Sequence, residues 1–392
     1  MNEFCSDNFF AQKRRFFFDD DAISFLHSLS KKIMAHSEAR QHPELLALAF
    51  WLRKSNLLMI FKKWIDRQPT NQIITSRGIA FHIAPSNVDS IFVYSWALSM
   101  IAGNINVVRV SLNQGKQLNT LFYLIGEHIR KYPELEQRNR ILTYTHDNEI
   151  SSFLSLKADL RIIWGGDKTV ETIRDLPTKP NTKDVTFTDK SSLSLINAHA
   201  YMELSDKQSL AHLFYNDSYW FDQKACSSPS RVIFVGERVI CKEASKNFWG
   251  AMRTELKRHK QQDDQSLAIQ KLSYVYQLII DNSQLEPVYH SDVSSPTVLR
   301  HIEGEAVKPQ CGGGFFIESF VVSLDQVQDQ TMVKDQTIAY YGFEQDDLMQ
   351  LALTFDGRKV DRIVPLGSAL DFSPVWDGYD LISEFSKRLI VM

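Results

Sequence analysis

The sequence predicts an α/β protein with two Rossmann-like domains built on mostly parallel sheets. Three observations support this. Short apolar runs alternate with amphipathic stretches on both sides of residue 220. The links between them are short and rich in Gly, Ser, Asn and Pro, as in sheets covered by helices on both faces. With 392 residues the chain exceeds the usual size of one hydrophobic core, so two domains are expected.

In chain order, residues 21–70 read as helical. Leu26, Leu29, Leu46, Leu48, Phe50, Leu52 and Leu58 recur there among polar residues. Residues 78–83 form an apolar strand that ends at Ala84 and Pro85. A helix over 88–101 follows and stops at Gly103-Asn104. Strands over 106–110, 140–144, 160–164, 185–187 and 193–196 interleave with helices over 114–131, 149–157 and 168–176. A second alternating region begins with strand 231–235 and helices 242–260 and 266–280. Strands at 315–319, ending at 340–341, and at 362–365 close it. The boundary between the regions is expected near 215–223.

Ligands of such a sheet lie beyond the carboxyl ends of its strands. That singles out loops 84–87, 111–114 and 165–167, the last holding Gly165 and Gly166. No Gly-x-Gly-x-x-Gly fingerprint is present, and two adjacent glycines are equally an ordinary turn.

A net charge of -3 with pI ≈ 6.4 gives no support to nucleic-acid binding. The longest apolar stretch, 88–102, is interrupted by Asp89 and is too short for a membrane span. The first eighteen residues show no secretory pattern, so a cytoplasmic protein is expected. The spacing of Cys5, Cys226, Cys241 and Cys311 matches no metal cluster.

Cys226 stands among small and polar residues just before Pro229 and an apolar strand. A reactive thiol needs access and donors for its thiolate. The backbone N–H groups of Ser227 and Ser228, or a helix start, would supply them; a buried structural cysteine is the other reading. Cys241, at a strand end, reads as core. Cys311 beside Gly312-Gly313-Gly314 is the second candidate nucleophile. His82, His199, His290 and His301 are scattered, and the sequence selects none as a partner for a cysteine. Trp376, Asp377 and Tyr379 read as a docked tail.

Four windows together resemble one family. They are His82-Ile83-Ala84-Pro85-Ser86-Asn87 through Ala102-Gly103-Asn104 and Arg109-Val110-Ser111; Ile163-Trp164-Gly165-Gly166-Asp167; Phe221-Asp222-Gln223 through Ala225-Cys226-Ser227-Ser228-Pro229; and residues 361–378. Over about 75–390 the chain resembles the acyl-CoA reductases related to the fatty-acid reductase subunit of bacterial luminescence, within the aldehyde dehydrogenase superfamily. Compared with the luminescence enzyme, its N-terminus is short and divergent.

The resemblance implies an aldehyde dehydrogenase-like fold. It also implies a division into 1–215 (N-terminal helical region and cofactor-binding domain), 216–365 (catalytic cysteine domain) and 366–392. The last is a C-terminal segment packing back on the domains or across a subunit interface. It makes Cys226 the acyl-accepting nucleophile, with Asn87 and a backbone N–H at the cysteine as oxyanion hole. Ala84, Pro85, Ser86, Gly103, Asn104, Arg109 and Ser111 fall in the cofactor region, and Gly165 and Gly166 near the pyrophosphate. Arg109 stands where aldehyde dehydrogenases usually have Lys and favours NADPH, with NADH the alternative. Those enzymes carry a glutamate where this chain has Thr186, next to Phe187, which implies slow hydrolysis and therefore reduction of a long-chain acyl thioester to the fatty aldehyde. An acyl-CoA or acyl-protein donor, an acyl-protein synthetase partner and a homo-oligomer are also implied. The alternative is a non-catalytic or acyl-transfer subunit of an acyl-activating complex.

Overall fold

The computed structural model describes residues 7–12, 17–85, 91–111, 116–144, 147–259, 265–281, 284–289, 296–302, 306–307, 311–355, 357 and 359–392. The chain forms two compact units, Met1–Asp189 with Phe372–Met392, and Lys190–Asp371.

The first unit is built on a five-stranded sheet in the order Asn139–Thr143, Ile105–Val110, Ile79–Ile83, Leu160–Trp164, Lys183–Phe187. Every pairing in it is parallel. Ile79–Ile83 and Leu160–Trp164 are buried along their whole length, which explains why they read as continuous apolar runs. The expected helices at the start of the chain are Asp20–Ala35, Pro43–Trp51 and Lys54–Ile65. Asp19 caps the first by accepting from the backbone N–H groups of Asp21 and Ala22. Its other carboxylate oxygen takes a charged hydrogen bond from Arg138 at 2.7 Å. Ile23, Leu26, Leu29 and Ile33 form the buried stripe of this helix. Each such side chain contributes about 1.5–3 kcal/mol on burial.

The second unit holds a seven-stranded sheet. Its order is Arg362–Pro365, Asp335–Tyr341, Ser191–Asn197, Pro229–Val235, Phe315–Val321, Thr297–His301, Leu285–Tyr289. Only the last pairing is antiparallel. Helices Lys207–Tyr219 and Arg238–Arg258 pack together over it.

Two boundaries change, and one ribbon is new. The division falls after Asp189 rather than near 215–223, because Ser191–Asn197 is hydrogen-bonded between Asp335–Tyr341 and Pro229–Val235. The C-terminal return begins at Phe372 rather than 366, and it packs within the first unit. There the Trp51 indole donates to the Phe372 carbonyl at 3.2 Å, and the Phe372 ring stacks on Tyr94 and Trp376. Two polar segments unassigned in the sequence, Gln72–Ser76 and Ser386–Ile390, pair as an antiparallel ribbon. The helix expected over 88–101 runs Phe92–Ile101, and residues 88–90 lie outside the described residues. Among the described residues no helix is long and apolar enough to cross a membrane.

Candidate active site

In the first unit the chain passes from Ile79–Ile83 to Ile105–Val110 on one side, then returns to Leu160–Trp164 on the other. The strand order therefore reverses between Ile79–Ile83 and Leu160–Trp164. The crevice beyond their carboxyl ends is the topological switch point. Ala84 and Pro85 end one wall, and Ala84 N–H donates to the Arg109 carbonyl at 2.9 Å. Gly165 and Gly166 end the other and lead into helix Asp167–Arg174. Arg109 and Ser111 stand at the same edge, with the Arg109 guanidinium over the Tyr144 ring. Ser86 and Asn87 lie outside the described residues, as do 112–114 of the loop after strand Ile105–Val110.

The start of helix Asp167–Arg174 favours an anion, because its first N–H groups lack helical partners. An anion of the chain itself is already there: Asp189 Oδ2 accepts from Asp167 N–H at 3.4 Å. A Cβ at Gly166 would meet that oxygen at 2.9 Å, so glycine permits the approach. The helix start can thus hold an anion, and Asp189 is the one the structure places there. Beneath it the Trp164 and Phe187 rings stack at 3.7 Å. Thr186 lies beside Phe187 on strand Lys183–Phe187.

Gly103 and Asn104 lie elsewhere. They precede strand Ile105–Val110, at the amino edge of the sheet, opposite the crevice. Asn104 is fully buried. Its side chain accepts from Gly78 N–H and donates to the Ser99 hydroxyl and the Phe385 carbonyl. It fastens the sheet to the C-terminal return, and both of its amide N–H donors are used in doing so.

His82 belongs to the same buried network. The Asn106 amide donates to Asn104 O and Asn139 Oδ1, which leaves Asn106 Oδ1 as acceptor and makes His82 Nε2 the protonated nitrogen. Burial lowers this imidazole to about 4, only partly opposed by that hydrogen bond. It stays neutral and structural.

In the second unit Cys226 sits on a turn leading into Pro229–Val235, at the amino edge of the sheet. No helix starts there, and Ser228 N–H is committed to Ala225 O at 2.9 Å, which leaves the Ser227 N–H of the expected thiolate donors. The turn is held from below. The Ser192 hydroxyl donates to the Cys226 carbonyl at 2.7 Å. Gln223, in the left-handed region at φ 62, buries its side chain and makes four hydrogen bonds. It donates to Pro229 O and Phe315 O and accepts from Gly314 N–H and Phe315 N–H, at 2.9–3.1 Å. Gly313 N–H reaches Asp222 O at 3.0 Å. Gly314, at φ +80, has no room for a side chain: a Cβ would lie 2.5 Å from the Tyr219 hydroxyl. Cys226 itself remains half-buried.

The other cysteines differ. Cys241 is fully buried and donates to the Gly236 carbonyl, and burial pushes its thiol up to about 11. Cys311 is half-buried, and burial raises it too. It adjoins the glycine run that wraps Asp222, which accounts for that run structurally. Cys5 and His290 lie outside the described residues. His199 pairs with Glu237 at an exposed position, and His301 is a buried strand end. Two supports of the cysteine turn had no role in the sequence reading, Gln223 and Ser192. Gln223 was in plain view three residues before Cys226, whereas Ser192 is distant in sequence and carried no signal.

The Acyl-CoA reductase (LuxC) family profile matches residues 48–388. The chain belongs to this family. The match begins earlier than the resemblance over 75–390 and takes in helix Lys54–Ile65. LuxC-family membership makes the protein an oxidoreductase of acyl groups and aldehydes. A comparison with curated protein sequences gives no significant match. Among solved structures, aldehyde dehydrogenase 21 from Physcomitrella patens, in complex with succinate, aligns with TM-score 0.68 at 10% identity. It covers 95% of this chain and 85% of that one. PnpE in complex with nicotinamide adenine dinucleotide gives 0.67 at 12% identity, over 96% and 86%. Lactaldehyde dehydrogenase from Escherichia coli gives 0.66 at 11%, over 95% and 86%. The LuxC-family chain therefore has the aldehyde dehydrogenase-like fold.

Proposed function

We propose that this LuxC-family protein takes a long-chain acyl group onto Cys226 as a thioester and reduces it to the fatty aldehyde with NADPH. The observation that carries the reading is the setting of Cys226, a half-buried thiol on a turn fixed by Gln223 and Ser192. Of the described cysteines, Cys241 is sealed in the core and Cys311 serves a structural turn.

The Cys226 thiolate attacks the carbonyl carbon of an acyl-CoA or acyl-protein donor. The new C–S bond forms as the donor's thiolate leaves. Asn87 and a backbone N–H at the cysteine are assigned to the oxyanion by the family resemblance. A nicotinamide cofactor, when bound, supplies the hydride that the acyl carbon receives. Collapse of the resulting thiohemiacetal releases aldehyde and returns the thiol. The family resemblance assigns Gly165 and Gly166 to the diphosphate loop, where Gly165, its N–H bonded to the Phe187 carbonyl at 3.1 Å, shapes the turn; Ala84 and Pro85 wall the crevice. Arg109 supports NADPH over NADH, since a guanidinium matches a 2'-phosphate in bidentate geometry. Thr186 cannot act as a base for water, which favours reduction over hydrolysis.

The test is acylation without cofactor. With radiolabelled long-chain acyl-CoA, label should accumulate on Cys226 and leave as aldehyde when NADPH is added. Cys226→Ser should lower turnover about 10³-fold or more, since a hydroxyl lacks the thiolate population and nucleophilicity of sulfur. Label mapping to Cys311, or full activity in Cys226→Ser, would overturn the assignment.

A further inference from the structure

A histidine–glutamate–histidine cluster lies in the second unit where helices Lys207–Tyr219 and Arg238–Arg258 meet. His212 is on Lys207–Tyr219, Glu255 is on Arg238–Arg258, and His259 caps the end of the latter. His212 Nδ1 lies 2.8 Å and His259 Nε2 3.0 Å from the same oxygen, Glu255 Oε1. All three ligand atoms fall within 4.8 Å of one another. The second carboxylate oxygen, Oε2, is occupied separately, by Gln208 at 2.7 Å and Arg258 at 3.1 Å. Oε1 is thereby turned toward the two imidazoles, as outer partners orient a ligating carboxylate. Glu255 is 2% exposed, His259 33% and His212 51%, so a buried anion sits under an opening to solvent. Burial raises the Glu255 carboxyl, but hydrogen bonds from His212, His259 and Gln208 outweigh it and hold the group at about 2.

We propose that His212, Glu255 and His259 bind a divalent transition metal, zinc being the best match, as a clamp between the two helices. Two imidazoles and one carboxylate are a ligand set zinc accepts, with a fourth position open to water. In a tetrahedral site, zinc bonds of about 2.0–2.1 Å place ligand atoms about 3.3 Å apart. Each imidazole nitrogen need withdraw only a few tenths of an ångström from Oε1, and the two nitrogens, within 4.8 Å of each other, must settle at the same spacing. His259 also stacks on Tyr215 at 3.9 Å, and Tyr215 on Tyr219 at 5.3 Å. Tyr219 is the residue whose hydroxyl crowds Gly314, so the clamp abuts the platform under the Cys226 turn.

The experiment uses the full chain after chelator treatment. Zinc titration by calorimetry should show one saturable site at micromolar or lower concentration, and cobalt should give tetrahedral ligand-field absorption in the visible. His259→Ala should weaken binding at least tenfold. His212→Gln, which retains a hydrogen-bond donor to Glu255 and so preserves the helix contact, should do the same. Zinc should raise the thermal midpoint of the wild-type chain and not that of His212→Gln. No saturable binding, unchanged affinity in both variants, or a near-ultraviolet thiolate-to-cobalt band that persists in them would overturn the proposal, the last by placing the metal on a cysteine.

Discussion

The two mainly parallel sheets carry their candidate chemistry at opposite ends. In the first unit the crevice lies beyond the carboxyl ends of Ile79–Ile83 and Leu160–Trp164, where the strand order reverses. In the second, Cys226 precedes strand Pro229–Val235, at the amino edge. The difference is one of task. A crevice that receives a ligand is made of backbone ends and a helix start, and what it needs is room and N–H groups left uncommitted by the helix. A nucleophile must be held still, and the turn around Cys226 commits its own hydrogen bonds to Gln223, Ser192 and the Gly312–Gly314 run. The first region is therefore expected to govern affinity, and the second stability together with reactivity.

Gln223→Leu tests that contrast hardest. It removes four buried hydrogen bonds, leaving Gly314 N–H without this partner and Phe315 N–H with only its longer bond to the Gly312 carbonyl, at a cost of roughly 4 kcal/mol. Urea unfolding should show the loss, and acylation of Cys226 should slow while cofactor affinity holds. A stable variant with normal acylation would mean the turn does not depend on this strut.

Next in size is a pH effect on the helix that leads into the turn. Asp217 is buried, and its carboxyl oxygens accept from Gly367 N–H at 2.6 Å and Ala369 N–H at 2.9 Å. Burial raises it to about 7 despite those bonds. Because the folded value lies above the unfolded one, the contribution to stability is full below about pH 4 and is lost as pH rises through about 7. Relative to Asp217→Asn, the wild-type chain should lose up to about 1.4 kcal/mol per pH unit within that window. Parallel urea midpoints for the two proteins from pH 4 to 8 would refute this assignment.

The smallest effect belongs to the first unit. Asp189→Ala removes the anion at the start of helix Asp167–Arg174. Cofactor should then bind about 2–5-fold more tightly, the value of one charge at a helix terminus, with little change in unfolding midpoint. Weaker binding in a titration of nicotinamide fluorescence would show that Asp189 assists the ligand instead of competing with it.

Helix and strand order was legible in the sequence because period and run length report burial directly, as in Ile79–Ile83 and Leu160–Trp164. The ribbon of Gln72–Ser76 with Ser386–Ile390 was not, since its strands are polar and partly exposed and its partners stand at opposite ends of the chain. Cys226 and the glycines of the crevice could be found from local composition joined to a family resemblance. The displacement of Gly103 and Asn104 to the opposite sheet edge could not. Which edge a loop occupies depends on whether it enters or leaves a parallel strand, and what an asparagine bonds there depends on Gly78 and Phe385. The same holds for the unit boundary at Asp189 and for the meeting of His212, Glu255 and His259. The sequence by itself determined the elements and the family and put forward Cys226 as the candidate nucleophile, because these are written in contiguous residues. Tertiary structure alone decided which distant groups share a buried contact, because only packing brings donors and acceptors within the short range over which hydrogen bonds and metal bonds act.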